Sequence, residues 1–236
     1  MTASTSEHRI DFLPGAAELG DFDPTSSTIA FTPAGNLRSI PKHLIEPTFE
    51  RYWREFVDRR DGRKDWEDYT PYELRNVGTF VRLGWRSRAQ ELLAFFMADR
   101  RPAAWNQWAE VVGRDPRKPR FVGDMPHAWI ASDYIRAVLD LFAFERDDDR
   151  SLVIAAGIPL EWLDGSGIAI RGLHTPYGRL GYSLRKMGGK LLLHVDSGIR
   201  MPPGGIVFAG PGPELRIRKL PANVAVDLRN AKRGDP

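Results

Sequence analysis

Apolar positions along the chain follow two periods. Up to about residue 148 they recur every three to four residues, and after it every second residue, which predicts helices followed by strands. The first clear helix is expected from Glu46–Pro47, where a proline suits the first turn. Ile45, Phe49, Tyr52, Trp53 and Phe56 carry its stripe, and Asp61-Gly62-Arg63 ends it. A second helix opens at Thr70-Pro71-Tyr72-Glu73, which reads as a capping box: Thr70 caps, and Glu73 reaches back to an orphan N–H. Gly84 stops it. Ser87 and Gln90 read as another capping box that opens a third helix, and Pro102 marks its stop, so these two helices form a tight αα-hairpin. A fourth helix is expected from about Pro126 to Glu145, so apolar around a wide arc that it should pack on more than one side.

Seven short candidate strands follow, spanning residues 152–158, 168–172, 179–186, 190–196, 205–209, 214–219 and 224–228, with clear alternation in Leu180/Tyr182/Leu184 and Leu191/Leu193/Val195. Gly188-Gly189 suits a tight turn between two of them. Such spacing reads as a β-sandwich. The fold class is α+β, with a helical domain over 1–148 and an antiparallel sandwich over 149–236. Two long irregular stretches, 11–40 and 103–125, interrupt the helical part; loops of this length are usually functional or disordered. The ends, Met1–Arg9 and Arg229–Pro236, read as loose.

Composition narrows the function classes. The chain has 236 residues, 42% of them hydrophobic and 28% charged, enough for a sizeable core. It has no cysteine, which excludes disulfides, thiolate metal sites and cysteine nucleophiles. No apolar run approaches the ~18 residues of a membrane span. Met1–Arg9 lacks the apolar core of a signal peptide, so a cytoplasmic or periplasmic protein is expected. The net charge is +3, and its densest basic groups, Arg59–Lys64 and Arg114–Arg120, are interrupted by aspartates. No nucleic-acid partner is therefore expected.

The five histidines lie at no metal-ligand spacing to one another, and neither a phosphate-binding glycine loop nor Gly-x-Ser-x-Gly occurs. No metal and no cofactor is expected. What remains is Trp105-Asn106-Gln107-Trp108-Ala109-Glu110, a loop with two indoles, two amides and a carboxylate. Glycosidic hydrolysis uses this inventory: carboxylates move protons or attack, aromatic faces hold the sugar, and amides bind its hydroxyls. Trp105 and Trp108 read equally as core anchors.

Trp-x-x-Trp-Ala-Glu is followed by Gly123-Asp124-Met125-Pro126-His127-Ala128-Trp129, which opens an apolar helix before the strands. This order resembles the end of the catalytic barrel in the six-hairpin glycosidases, the (α/α)6-barrel superfamily of glucoamylases and α-L-rhamnosidases. Thr175-Pro176-Tyr177-Gly178-Arg179-Leu180-Gly181-Tyr182 is similar to a hairpin of rhamnosidase-type C-terminal sandwiches. The nearest likeness is to bacterial proteins labelled discoidin or coagulation-factor-type domain proteins. The resemblance implies a general-base role for Glu110 and puts His127 and Trp129 in the motif opening the last inner helix. It implies twelve barrel helices where about four are legible, so most of the barrel and the general acid should lie on an upstream domain or a partner chain.

Glu73, beyond its cap role, is a second catalytic candidate, with Tyr72 and Arg75 beside it in reach of a sugar. Asp21 and Asp23 read as Asx turns before Pro24, with Asp23 also a candidate for a sugar hydroxyl. Asp124 reads as an N-cap. The expected function is the C-terminal portion of an inverting-type glycoside hydrolase acting on oligo- or polysaccharide. The alternatives are a non-catalytic glycan-binding fragment, or an interaction fragment that docks on an upstream domain or a second copy through its unfinished helical face.

Overall fold

A computed structural model describes residues 2–35, 39–115, 117–118, 120 and 124–228. Gly123 and the tail from Arg229 lie outside the described residues. The fold is mixed α+β. Its helices are α1 (Thr2–His8), α2 (Pro24–Ser27), α3 (Lys42–Arg60), α4 (Arg75–Leu83), α5 (Arg86–Ala98) and α6 (Ala128–Phe142). No helix among the described residues is long and apolar enough to cross a membrane.

The chain forms two compact units that interleave in sequence. One comprises Met1–Thr79 and Leu92–Ala137, the other Phe80–Glu91 and Val138–Pro236. In the first unit, α3 and α5 supply an aromatic core. Phe49, Phe56 and Phe96 are fully buried, and the Phe56 and Phe95 rings meet edge to face at 5.1 Å. Short strands β1 (Asp68–Tyr69) and β2 (Val112–Gly113) pair antiparallel, Tyr69 opposite Val112.

Among the described residues the second unit holds eight further strands in two sheets. β3 (Ala143–Arg146), β4 (Ser151–Ile154), β8 (Ile206–Phe208) and β9 (Leu215–Ile217) form one, in the order β3-β4-β8-β9. β5 (Ile168–Thr175), β6 (Gly178–Met187), β7 (Lys190–Val195) and β10 (Ala222–Asp227) form the other, in the order β10-β7-β6-β5. All strands of the second sheet pair antiparallel, but β4 and β8 pair parallel, so the expected wholly antiparallel arrangement is corrected to one antiparallel and one mixed sheet. The long connection from β4 to β8 contains the whole β5–β6–β7 meander, which permits the parallel return. The Tyr182 hydroxyl on β6 donates to the Phe142 carbonyl at 2.9 Å, and burial pushes its phenol pKa well up. Arg82 and Asp140 pair at 2.5 Å in the interior of this unit.

Several local expectations shift. α3 starts at Lys42 with Pro41 as its N-cap, so Pro47 sits inside the helix, where it removes one backbone donor. The fourth helix ends at Phe142, and Ala143–Arg146 is already strand, because these residues pair with β4. α6 buries Ile130, Ala137 and Leu141 and exposes Ile135 (57%) and Leu139 (37%), four residues apart on one face. Gln90 does not close a capping box; its amide donates to the Gly157 carbonyl at 2.7 Å.

Candidate functional site

The site lies in the first unit and starts from the β1/β2 ladder. With Tyr69 opposite Val112, continuation of the antiparallel register brings Glu110 beside the turn at Pro71–Tyr72. Trp108 fixes the Glu110 loop. It is 5% exposed, its indole N–H donates to the Phe96 carbonyl at 2.9 Å, and its ring lies 5.1 Å from Tyr134 of α6. Trp108 is thus a core anchor in this fold, held from both sides.

On the facing turn, the Thr70 hydroxyl accepts from the Tyr72 backbone N–H at 3.3 Å and starts a 3₁₀ segment, Pro71–Leu74, that runs into α4. Tyr72 and Arg75, three residues apart, share a face. The Arg75 guanidinium carbon sits 4.4 Å from the centre of the Tyr72 ring, a cation–π contact. Arg75 Nε also donates to Asp133 Oδ2 on α6 at 2.8 Å.

His127 stands immediately before α6. Its Nε2 is 2.9 Å from the Tyr72 hydroxyl, and its Nδ1 is 2.5 Å from Asp124 Oδ2. A histidine with a carboxylate on one nitrogen and a phenol on the other has its ring plane fixed. Trp129 packs at 6.2 Å from His127 and 6.5 Å from Tyr72, yet it is 71% exposed, so its indole face remains open.

Glu110, Asp124 and His127 each present one donor atom within 4.8 Å of the others. One imidazole and two carboxylates could hold a divalent cation, although acidic groups also gather this closely without one. Glu110 makes no hydrogen bond or ion pair among the described residues, unlike Asp124. The electrostatics converge on Tyr72. Desolvation first, then the Glu110 charge, raises its pKa, and Arg75 opposes both. Burial likewise raises the Asp133 carboxyl, against the pull of Arg75.

Of the residues singled out in the sequence, Glu110, Tyr72, Arg75, His127 and Trp129 come together here. Asp23 does not join them; it caps α2, accepting from the Ser26 N–H at 3.0 Å and the Ser26 hydroxyl at 2.5 Å. Trp105 is 53% exposed at the end of a 3₁₀ turn, Ala103–Trp105. Glu73 points into the core. Its carboxylate accepts from both terminal nitrogens of Arg59, at 2.8 and 2.7 Å, and from the Tyr52 hydroxyl at 2.7 Å. The capping-box role is therefore corrected: the carboxylate is held by a buried cation and phenol and does not reach back to Thr70. Asp124 is the histidine's partner, a role the N-cap reading missed. Asp133 was not legible as a site residue, although its i,i+4 spacing from Trp129 places both on one face of α6.

No family model matches the chain, and neither a curated protein nor a solved structure matches it.

Proposed function

We propose that the chain is the C-terminal portion of an inverting-type glycoside hydrolase acting on oligo- or polysaccharide, with Glu110 as general base. The supporting observation is the meeting of a Glu110 carboxylate that has no ion pair among the described residues with the fixed His127–Tyr72 pair and the open face of Trp129. A sugar ring stacked on that indole would have its hydroxyls within reach of His127, Tyr72 and Arg75. Glu110 would take a proton from water as the water oxygen bonds to the anomeric carbon. The glycosidic C–O bond breaks, and its oxygen takes a proton from a carboxylic acid on an upstream domain or partner chain. Asp124 does not serve as that acid, because its carboxylate is engaged by His127.

In this reading the helices are the closing hairpins of an (α/α)6 barrel, and the strands are the sandwich that follows it. Carbohydrate is the partner, nucleic acid is not, and the compartment is the cytoplasm or periplasm. The test is hydrolysis of a panel of oligosaccharides by the full-length native protein and its Glu110→Gln variant, read as reducing-end release.

A second reading is a non-catalytic fragment that binds glycan, or docks on an upstream domain or a second copy. The exposed Ile135 and Leu139 on α6 favour it. Saturable oligosaccharide binding without turnover in the full-length protein would select it.

A further inference from the structure

The sheet β10-β7-β6-β5 carries a groove of about 520 Å³ in the second unit. That volume falls in the range of small-molecule sites. Its floor follows from the register. Ala169, Ser183, His194 and Asn223 stand directly opposite one another on four successive strands, forming one row across the sheet. Leu184, Leu193 and Val226 point to the other face, where Leu184, Leu193 and Val226 are buried. The next row pairs Arg185 with Leu192 and Leu192 with Ala225. The small side chains at 169, 183 and 225 leave the space, and the longer ones border it.

The polar groups in this groove are mostly donors. The Arg185 side chain is exposed and makes no hydrogen bond or ion pair among the described residues, and Ser183 likewise has a free hydroxyl. His194 is braced on both nitrogens, Nδ1 at 2.8 Å from Asn223 Oδ1 and Nε2 at 3.0 Å from Asp196 Oδ1. That brace engages the Asn223 amide at one of its two polar atoms, so at least one amide N–H stays available to donate, and it engages the Asp196 carboxylate. An unpaired guanidinium beside a hydroxyl and an amide N–H suits a carboxylate. Among the described residues no Trp, Tyr or Phe lines the groove, so a neutral sugar would have no large stacking surface.

We propose that this groove is a second ligand site, which binds a carboxylate-bearing sugar of the uronate class. The carboxylate half rests on Arg185 and Ser183; the sugar half rests on the glycoside-hydrolase reading above. The experiment is isothermal titration of the purified native chain with D-glucuronate and, as control, D-glucose. The expected result is saturable glucuronate binding, weakened at least about tenfold in Arg185→Ala, since a charge-assisted hydrogen bond is lost. Ser183→Phe, which fills the groove from an outward-facing position, should abolish it. Glu110→Gln should leave it unchanged, and glucose should not bind measurably. Absence of saturable glucuronate binding overturns the proposal, as does binding that survives both Arg185→Ala and Ser183→Phe. Binding lost in Glu110→Gln alone also overturns it, while leaving the hydrolase reading intact.

Discussion

Tyr72 and His127 are 55 residues apart in sequence, yet the tyrosine hydroxyl sits 2.9 Å from the histidine Nε2, with the rings edge to face. The contact ties the turn before α4 to the segment before α6. It also orients the histidine from the side opposite Asp124. Tyr72→Phe keeps the ring and removes only the hydroxyl. We expect a small stability loss, about 1 kcal/mol by urea denaturation, and weaker oligosaccharide binding than in the native protein. Unchanged binding would remove Tyr72 from the sugar site.

Glu73 distinguishes a structural carboxylate from a catalytic one. It forms a bidentate pair with Arg59 in the core of the first unit, and Arg59 Nε has no partner of its own. Glu73→Gln leaves a buried guanidinium short of its counter-charge. Breaking such a pair costs about 3–5 kcal/mol. A large fall in thermal midpoint is expected. A variant of native stability that had lost only hydrolysis would return Glu73 to the catalytic set.

Asp149 gives a pH prediction. Hydrogen bonds from Arg146, Ser151 and Arg216 hold its carboxyl far below the usual aspartate value. A carboxyl depressed in the folded state adds stability above its unfolded pKa of about 4. That stability is lost progressively as pH falls from there toward the depressed folded value. The stability gap between the native protein and Asp149→Asn should therefore be widest near neutral pH and shrink on acidification below about pH 4. A gap that is constant or widens on acidification would contradict the assignment.

Trp108 and Trp129 should separate by phenotype. Trp108 is buried with its N–H satisfied, so Trp108→Ala should destabilise by about 3–5 kcal/mol in chemical denaturation. Trp129 is open, so Trp129→Ala should leave stability within about 1 kcal/mol and weaken sugar binding. The reverse pattern would exchange their roles.

Much of this was legible in the sequence, for identifiable reasons. All seven anticipated strands are present: in β6 the period-2 alternation is set by one buried face, as in Leu180, Tyr182 and Leu184, whereas β4 and β8 are short apolar runs buried throughout. β3 was not legible, because Ala143–Arg146 continues the apolar run of α6 without a breaker. The start of α3 was placed late, because Lys42 and His43 carry no stripe. Thr70-x-x-Glu73 has the spacing of a capping box, and only the packing of α3 reveals that Arg59 claims the glutamate. The loop inventory pointed to Glu110, but its meeting with Tyr72 depends on pairing between β1 and β2, two strands of two residues each. Strands that short leave no periodic trace.

The most direct test of the central claim is the rate of oligosaccharide hydrolysis by the full-length native protein and by Glu110→Gln, with folding checked by thermal midpoint. Measurable turnover is expected in the native protein and a loss of at least about 10²-fold in the variant, the lower range for a general base, with the midpoint unchanged. Full activity in Glu110→Gln, or no hydrolysis by the native protein across the panel, would contradict that claim.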